Sequence, residues 1–192
     1  ERRKAVETWF VAHMEKEDCL PYQYAFYFEV LARMDTDAAD RFALDLIRRR
    51  WAAMANGETQ TTWECFGPSE NCHEAGGAPT IYLSRHVLGV QEDGPAANRR
   101  LKIEPRLGDL KRAEGTVVTA FGPVPVNWDR SGADGRLHFS FEIPAGVTAR
   151  VALPRVSENA VPTINGKSVQ PLRTTPRFVI IELSAGIYGG EL

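Results

Sequence analysis

The chain has 192 residues, 43% apolar and 25% charged, with 16 glycines and 12 prolines. That balance excludes intrinsic disorder and collagen-like repeats, and the length suffices for one large domain or two small ones. A formal charge of −2 conceals an uneven split, with 10 basic against 16 acidic side chains over residues 1–95 and 13 against 9 over residues 96–192.

Neither half has the dense basic stripe of a nucleic-acid binder. No apolar run approaches the roughly 18 residues of a membrane span, so no membrane partner is expected. The start, Glu1-Arg2-Arg3-Lys4, is charged but has no apolar stretch behind it, which predicts no signal peptide. Because the first residue is not Met, an upstream segment is expected to be missing. Arg outnumbers Lys 18 to 5 and there is no Asn-x-Ser/Thr sequon. Those facts lean toward an unglycosylated bacterial protein and leave its compartment open. Cys19, Cys65 and Cys72 are odd in number and irregularly spaced, which argues against a disulfide framework or a zinc site. A single Cys65–Cys72 bridge stays open.

Residues 1–55 read as helical. Ala5, Trp9 and Ala12/His13 recur at helical spacing. Pro21 suits the first turn of the next helix, Tyr22–Met34, whose aromatic residues on nearly every side predict packing on several faces. Asp35-Thr36-Asp37 offers a cap, Phe42/Leu46 and Ala43/Ile47 continue at i, i+4, and Asn56-Gly57 predicts a left-handed stop. Residues 57–77 hold five Gly or Pro and little periodicity, a long loop of the kind that tends to be functional. A shorter fourth helix follows from Pro79 to Leu88, ended by Gly89.

After residue 95 the apolar residues alternate. Examples are Leu101–Ile103, Val117–Phe121, Leu137–Ile143, Ala149–Leu153 and Phe178–Leu183. They are separated by turn signals at Gly122-Pro123, Gly132–Gly135, Pro144-Ala145-Gly146 and Asn165-Gly166, the last a strong hairpin signal. Short strands at this spacing predict an antiparallel β-sandwich or jelly roll. The boundary is expected near residues 91–98, with domains at 1–95 and 96–192.

No phosphate loop, GxSxG elbow or HExxH is present. His13, His86 and His138 lie in periodic segments and read as packing or surface residues, whereas His73 falls in the long loop, nine residues after Glu64. In Thr61-Thr62-Trp63-Glu64 a carboxylate follows a large aromatic ring. Such a group can be desolvated and suited to proton transfer. From composition alone the same stretch also reads as a surface acid beside a core tryptophan.

Several segments occur in a familiar order. Arg49-Arg50-Trp51 precedes Met54-x-x-Gly57, then come Thr61-Thr62-Trp63-Glu64, Asn71-Cys72-His73, Ala78-Pro79 and Leu83–Val90. Ile103-Glu104-Pro105 and the run Gly115–Trp128 follow. Over essentially its whole length the chain resembles the C-terminal end of α-L-rhamnosidases of glycoside hydrolase family 78. The resemblance implies an α+β chain in which the last helices of an incomplete (α/α)6 barrel lead into a terminal β-sandwich.

It further implies an inverting hydrolase, in which one carboxylic acid protonates the leaving oxygen and a carboxylate roughly 6.5–9.5 Å away activates water. The water-activating base of the family falls on Glu64, and a histidine of the sugar-binding rim on His73. Trp63 and Trp51 are candidate walls for a deoxysugar, since its apolar face packs on indole; for each, a plain core role remains the other reading. The substrate would be a rhamnosyl glycoside, without metal or other cofactor. Cys65-Phe66 stands where Arg-Trp commonly follows the glutamate, and Asn71-Cys72-His73 and Glu74–Gly77 also depart from the common pattern. The barrel holds twelve helices and this chain has material for four. The general acid would lie in the missing N-terminal part, so the chain alone should be inactive and its open helical edge should favour self-association. The alternatives are a non-catalytic carbohydrate-binding or scaffold module, which would carry exposed aromatics on one sheet face, and a fragment of another six-hairpin glycosidase.

Overall fold

The computed structural model describes residues 2–14, 19–67 and 72–192. The acidic segment Glu15-Lys16-Glu17-Asp18, whose sequence reads as a solvated helix end, lies outside them, as does Asn71 of Asn71-Cys72-His73. The chain divides into two compact units, Glu1–Tyr82 and Leu83–Leu192. Composition changes near residues 91–98, but Leu88–Val90 already hydrogen-bond or pair within the second unit, to Trp128, Glu104 and Ile103.

The first unit is helical. Helix α1 spans Arg2–Met14; a 3₁₀ turn at Pro21–Gln23 leads into α2, Tyr24–Met34; and α3 spans Asp37–Asn56. In α2 the buried residues Tyr24, Phe28, Leu31 and Ala32 form one stripe at i, i+4, i+7 and i+8. Tyr27, beside that stripe, meets Phe10 of α1, while Phe28 meets Trp51 of α3 and Tyr82, so α2 packs on several sides but not all round. Phe26, off that stripe, is 71% exposed. Asp35 ends α2 in the left-handed region at φ 55°, and the Thr36 hydroxyl caps α3 by accepting from the Ala39 amide at 3.1 Å. Asp37 and Asp40 then meet the positive end of the α3 dipole. The left-handed stop expected at Gly57 is absent, since Gly57 is extended at φ −72°. Helix α4, Ala78–Tyr82, passes into a π-helical turn at Leu83–Val87, closed by the Leu88 amide on the Leu83 carbonyl at 2.8 Å.

The second unit contains two sheets. One has the order β1 (Val90–Glu92), β2 (Arg100–Ile103), β6 (Thr148–Pro154), β10 (Phe178–Leu183), β9 (Arg173–Thr174). The other runs β3 (Arg112–Thr119), β4 (Gly122–Asp129), β5 (His138–Ile143), β11 (Gly186–Glu191), β7 (Thr163–Ile164), β8 (Lys167–Ser168). Alternating residues of both enter one core, including Ile103, Val151 and Ile181 from the first and Trp128, Phe141 and Ile143 from the second.

Two expectations are corrected here. The sandwich is not purely antiparallel, because β2 pairs parallel with β6, Ile103 opposite Val151. Three strands of the other sheet intervene in sequence, supplying the long crossover that a parallel pair requires. Gly122-Pro123 is not merely a turn but opens β4. Pro123 and Pro125 pair with β3 over a stretch where β4 has no β5 partner, its β5 register beginning at Val126. A missing amide costs little at an unpaired edge. Asn165-Gly166 does form the expected hairpin between β7 and β8, with φ of 49° and 77°. No disulfide forms, as Cys19, Cys65 and Cys72 are all thiols.

The downstream motifs converge on one place in this unit. Gly89 sits at φ +84°, and a Cβ there would lie 2.4 Å from the Pro105 nitrogen, so only glycine fits against Glu104-Pro105. The Glu104 amide donates to the Gly89 carbonyl at 2.9 Å. Leu88 covers Gly115, and its carbonyl accepts from the Trp128 indole at 3.0 Å. Leu-Gly-Val, Ile-Glu-Pro and the Gly115–Trp128 run are thus a packing set.

Candidate functional site

The site is built on the C-terminal half of α3 and the loop behind it. The Trp51 ring is 7% exposed and sits edge-on to Tyr24, with centroids 5.2 Å apart, and to Phe66 at 4.9 Å. Arg50 closes this cluster. Its guanidinium lies 4.7 Å from the Phe66 centroid, and its Nε donates to the Tyr24 hydroxyl at 2.9 Å. Phe66 is thereby anchored against α2 and α3, two residues beyond Glu64.

Two residues before Glu64 there is a second anchor. The His73 amide donates to the Thr62 carbonyl at 2.8 Å, and the Thr62 hydroxyl donates to the His73 carbonyl at 2.7 Å. The Gly76 amide reaches that same carbonyl at 3.2 Å. Gly76 packs directly on the other arm: a Cβ there would meet the Trp63 carbonyl oxygen at 2.6 Å and the Thr62 Cβ at 2.8 Å. The Gly76 carbonyl in turn accepts from the Trp51 indole at 2.8 Å in a buried hydrogen bond. The arms 61–63 and 73–76 are therefore clasped together and fastened to α3.

Glu64 lies between these anchors, half-buried, as are Trp63 and His73. A cavity of about 170 Å³ adjoins the clasp, lined by Trp51, Met54, Thr61, Thr62, Gly76 and Pro79 among others. Its lining combines apolar side chains with threonine hydroxyls, at a volume below the roughly 300 Å³ of an ordinary small-molecule pocket. Of the four residues singled out from the sequence, Trp51 contributes to this wall, while Trp63, Glu64 and His73 are not among its described lining residues. The structure thus joins Trp51, the Trp63 backbone and the His73 backbone through Thr62 and Gly76.

Sequence reading missed the supports. Tyr24 and Arg50 gave no signal beyond the aromatic run and Arg49-Arg50-Trp51, Thr62 was only part of a motif, and Phe66 figured as a departure from a pattern. Among the described residues no group of three His, Cys, Asp or Glu side chains is arranged to hold a metal ion. No helix there is long and apolar enough to cross a membrane.

Residues 89–167 match the family model described as the Bacterial alpha-L-rhamnosidase C-terminal domain. Three solved structures resemble the chain. An α-L-rhamnosidase from Dictyoglumus thermophilum does so with a TM-score of 0.74 and 20% identity, over 87% of this chain and 20% of that one. A Streptomyces avermitilis α-L-rhamnosidase complexed with L-rhamnose gives 0.66 and 21%, over 79% and 16%. An Aspergillus terreus α-L-rhamnosidase gives 0.59 and 21%, over 80% and 17%. No curated protein matches the chain. The chain spans a fifth or less of the length of these structures. These findings agree with the resemblance to the C-terminal part of a family 78 enzyme, and the α+β fold with two antiparallel-rich sheets matches theirs.

Proposed function

We propose that the chain is the C-terminal part of an inverting glycoside hydrolase that releases terminal α-L-rhamnose, with Glu64 as general base. Residues 1–95 would be the last helices of an (α/α)6 barrel carrying the catalytic loop 57–77, and residues 96–192 its terminal β-sandwich. The observation that carries this reading is the clasped Thr-Thr-Trp-Glu loop directly upstream in sequence of a rhamnosidase C-terminal domain at 89–167. The Dictyoglumus thermophilum likeness supports it, since 87% coverage is more than residues 83–192 alone supply.

Chemically, the Glu64 carboxylate takes a proton from the water that attacks the anomeric carbon. A carboxylic acid from the upstream part protonates the departing oxygen. Attack from the face opposite the leaving group inverts the configuration. Two fixed anchors suit Glu64 to this task, because a general base must be held within hydrogen-bond reach of its water. His73 and Trp63 would contact the sugar, and Trp51 would add a small share where it lines the cavity, most of its ring being buried.

A chain holding only the base lacks half the machinery and should be inactive. Trp9 at 59% exposure and Phe26 at 71% make its helical unit prone to self-association. The binding-module alternative is disfavoured by the sandwich aromatics, since Trp128, Phe139, Phe141 and Phe178 are buried and Phe121 and Tyr188 are half-buried against the same core.

The test is hydrolysis of an aryl α-L-rhamnoside by the protein extended upstream, with the first-formed anomer read by NMR. Release of β-L-rhamnose, and no release by residues 1–192 alone, is expected. Retention of configuration, or no action on rhamnosides, would overturn the proposal.

A further inference from the structure

From the geometry of the clasp we infer that Thr62 and Trp51 are positioning residues, which hold Glu64 and His73 in one fixed relation. This rests on the reading of Glu64 as base and adds the device that sets its place. Thr62 and His73 are eleven residues apart, yet they exchange two hydrogen bonds: amide to carbonyl at 2.8 Å and hydroxyl to carbonyl at 2.7 Å. Because the Thr62 side chain supplies the second bond, the bridge is more than a backbone contact. It resists twisting of one arm against the other, as a single hydrogen bond would not.

Trp51 fixes the bridge to the helix. Its ring is immobilised by Tyr24, Phe28 and Phe66, and its N–H holds the Gly76 carbonyl at 2.8 Å. Gly76 bears on the Thr62 Cβ and the Trp63 backbone with no room for a methyl group. The chain of contacts therefore runs from α3 through Trp51 and Gly76 to Thr62-Trp63, and Glu64 is the next residue. Neither Thr62 nor Trp51 need touch the reacting atoms. Their contribution is the orientation of a carboxylate, for which a displacement of about 1 Å can cost on the order of a hundredfold in rate.

The experiment uses the upstream-extended enzyme and an aryl α-L-rhamnoside, with kcat, KM and thermal midpoint measured for each variant. Thr62→Val keeps the side-chain shape and removes the hydroxyl. It is expected to lower kcat roughly 10- to 100-fold and to raise KM through the displaced His73. Thr62→Ser restores the hydroxyl and should return both to within about twofold of the parent. Trp51→Phe, which keeps a ring but loses the N–H, should lower kcat in the same direction. Thr8→Val, which removes an exposed hydroxyl that donates to the Lys4 carbonyl within α1 at 2.9 Å, is the control and should behave as the parent.

Amide exchange over His73–Gly76 gives a readout independent of activity and should quicken in Thr62→Val but not in Thr62→Ser. Normal kinetics and exchange in Thr62→Val overturn the inference, and so does a loss that Thr62→Ser does not restore. A Glu64→Gln enzyme that stays active overturns the base assignment instead. The two failures are distinguishable, because a failed clasp leaves Glu64→Gln inactive.

Discussion

The indole N–H of Trp128 donates to the carbonyl oxygen of Leu88 at 3.0 Å, tying the centre of the sandwich to the segment that enters it. Trp128 is fully buried and packs on Phe139 and Phe141. Trp128→Phe would leave the Leu88 carbonyl without this donor and vacate part of the ring volume. The expected loss is about 2–3 kcal/mol, read by urea denaturation. A loss below about 0.5 kcal/mol, the level of a neutral surface change, would mean that the bond contributes nothing.

Gly89 should be as sensitive for a different reason. Alanine there would combine a left-handed backbone with a Cβ 2.4 Å from the Pro105 nitrogen and 2.5 Å from the Glu104 carbonyl carbon. Gly89→Ala is expected to cost about 2 kcal/mol or more. Circular dichroism melting should show a lower midpoint, with the helical content retained at low temperature. An unchanged midpoint would contradict the packing role given to this motif.

The acid limb of stability should involve two surface carboxylates. Hydrogen bonds from the Ser131 hydroxyl and amide hold Asp129 below its ordinary value of 3.8. The Arg136 amide, then the His138 ring, do the same for Asp134. A carboxyl whose folded value is depressed contributes stability that is present above about 3.8 and lost as pH falls through the folded value. The double variant Asp129→Asn/Asp134→Asn should therefore lose less of its melting temperature than the parent between about pH 4 and pH 2. Parallel curves for the two proteins would rule this contribution out.

Phe66 tests the anchor on the far side of Glu64. Its ring meets Tyr24, Trp51 and the Arg50 guanidinium. Because the ring is half-buried, Phe66→Ala is expected to cost about 2 kcal/mol in stability, whereas Phe66→Leu should cost about 1 kcal/mol. Guanidinium titrations of both would show whether the cluster or merely apolar volume matters. Equal losses would mean that the ring contacts matter and retained volume does not, whereas a neutral Phe66→Leu would mean that volume alone matters.

Much of this architecture is legible from local pattern. The alternation at Leu137–Ile143 and Ala149–Leu153 marks β5 and β6, and Asn165-Gly166 marks its hairpin. What escapes local reading depends on distant partners. Pro123 and Pro125 resemble breakers until β4 is seen to be unpaired there on one side. Asp35, not Gly57, takes the left-handed position, because the short α2–α3 connection reverses the chain at that residue while Gly57 continues extended. Phe26 belongs to the same aromatic run as Phe28, yet only the latter falls on the buried stripe. At the site, Thr62-Trp63-Glu64 is visible as a motif. The meaning of its threonine requires His73, eleven residues on, and that of Gly76 requires Trp51, twenty-five residues back.

Whether Glu64 activates water for glycoside cleavage is decided by kcat of Glu64→Gln in the upstream-extended enzyme. Glutamine keeps the size of the side chain and removes its basicity. A fall of roughly a hundredfold or more is expected, with the thermal midpoint unchanged. A Glu64→Gln enzyme turning over an aryl α-L-rhamnoside at close to the parent rate would contradict the base assignment.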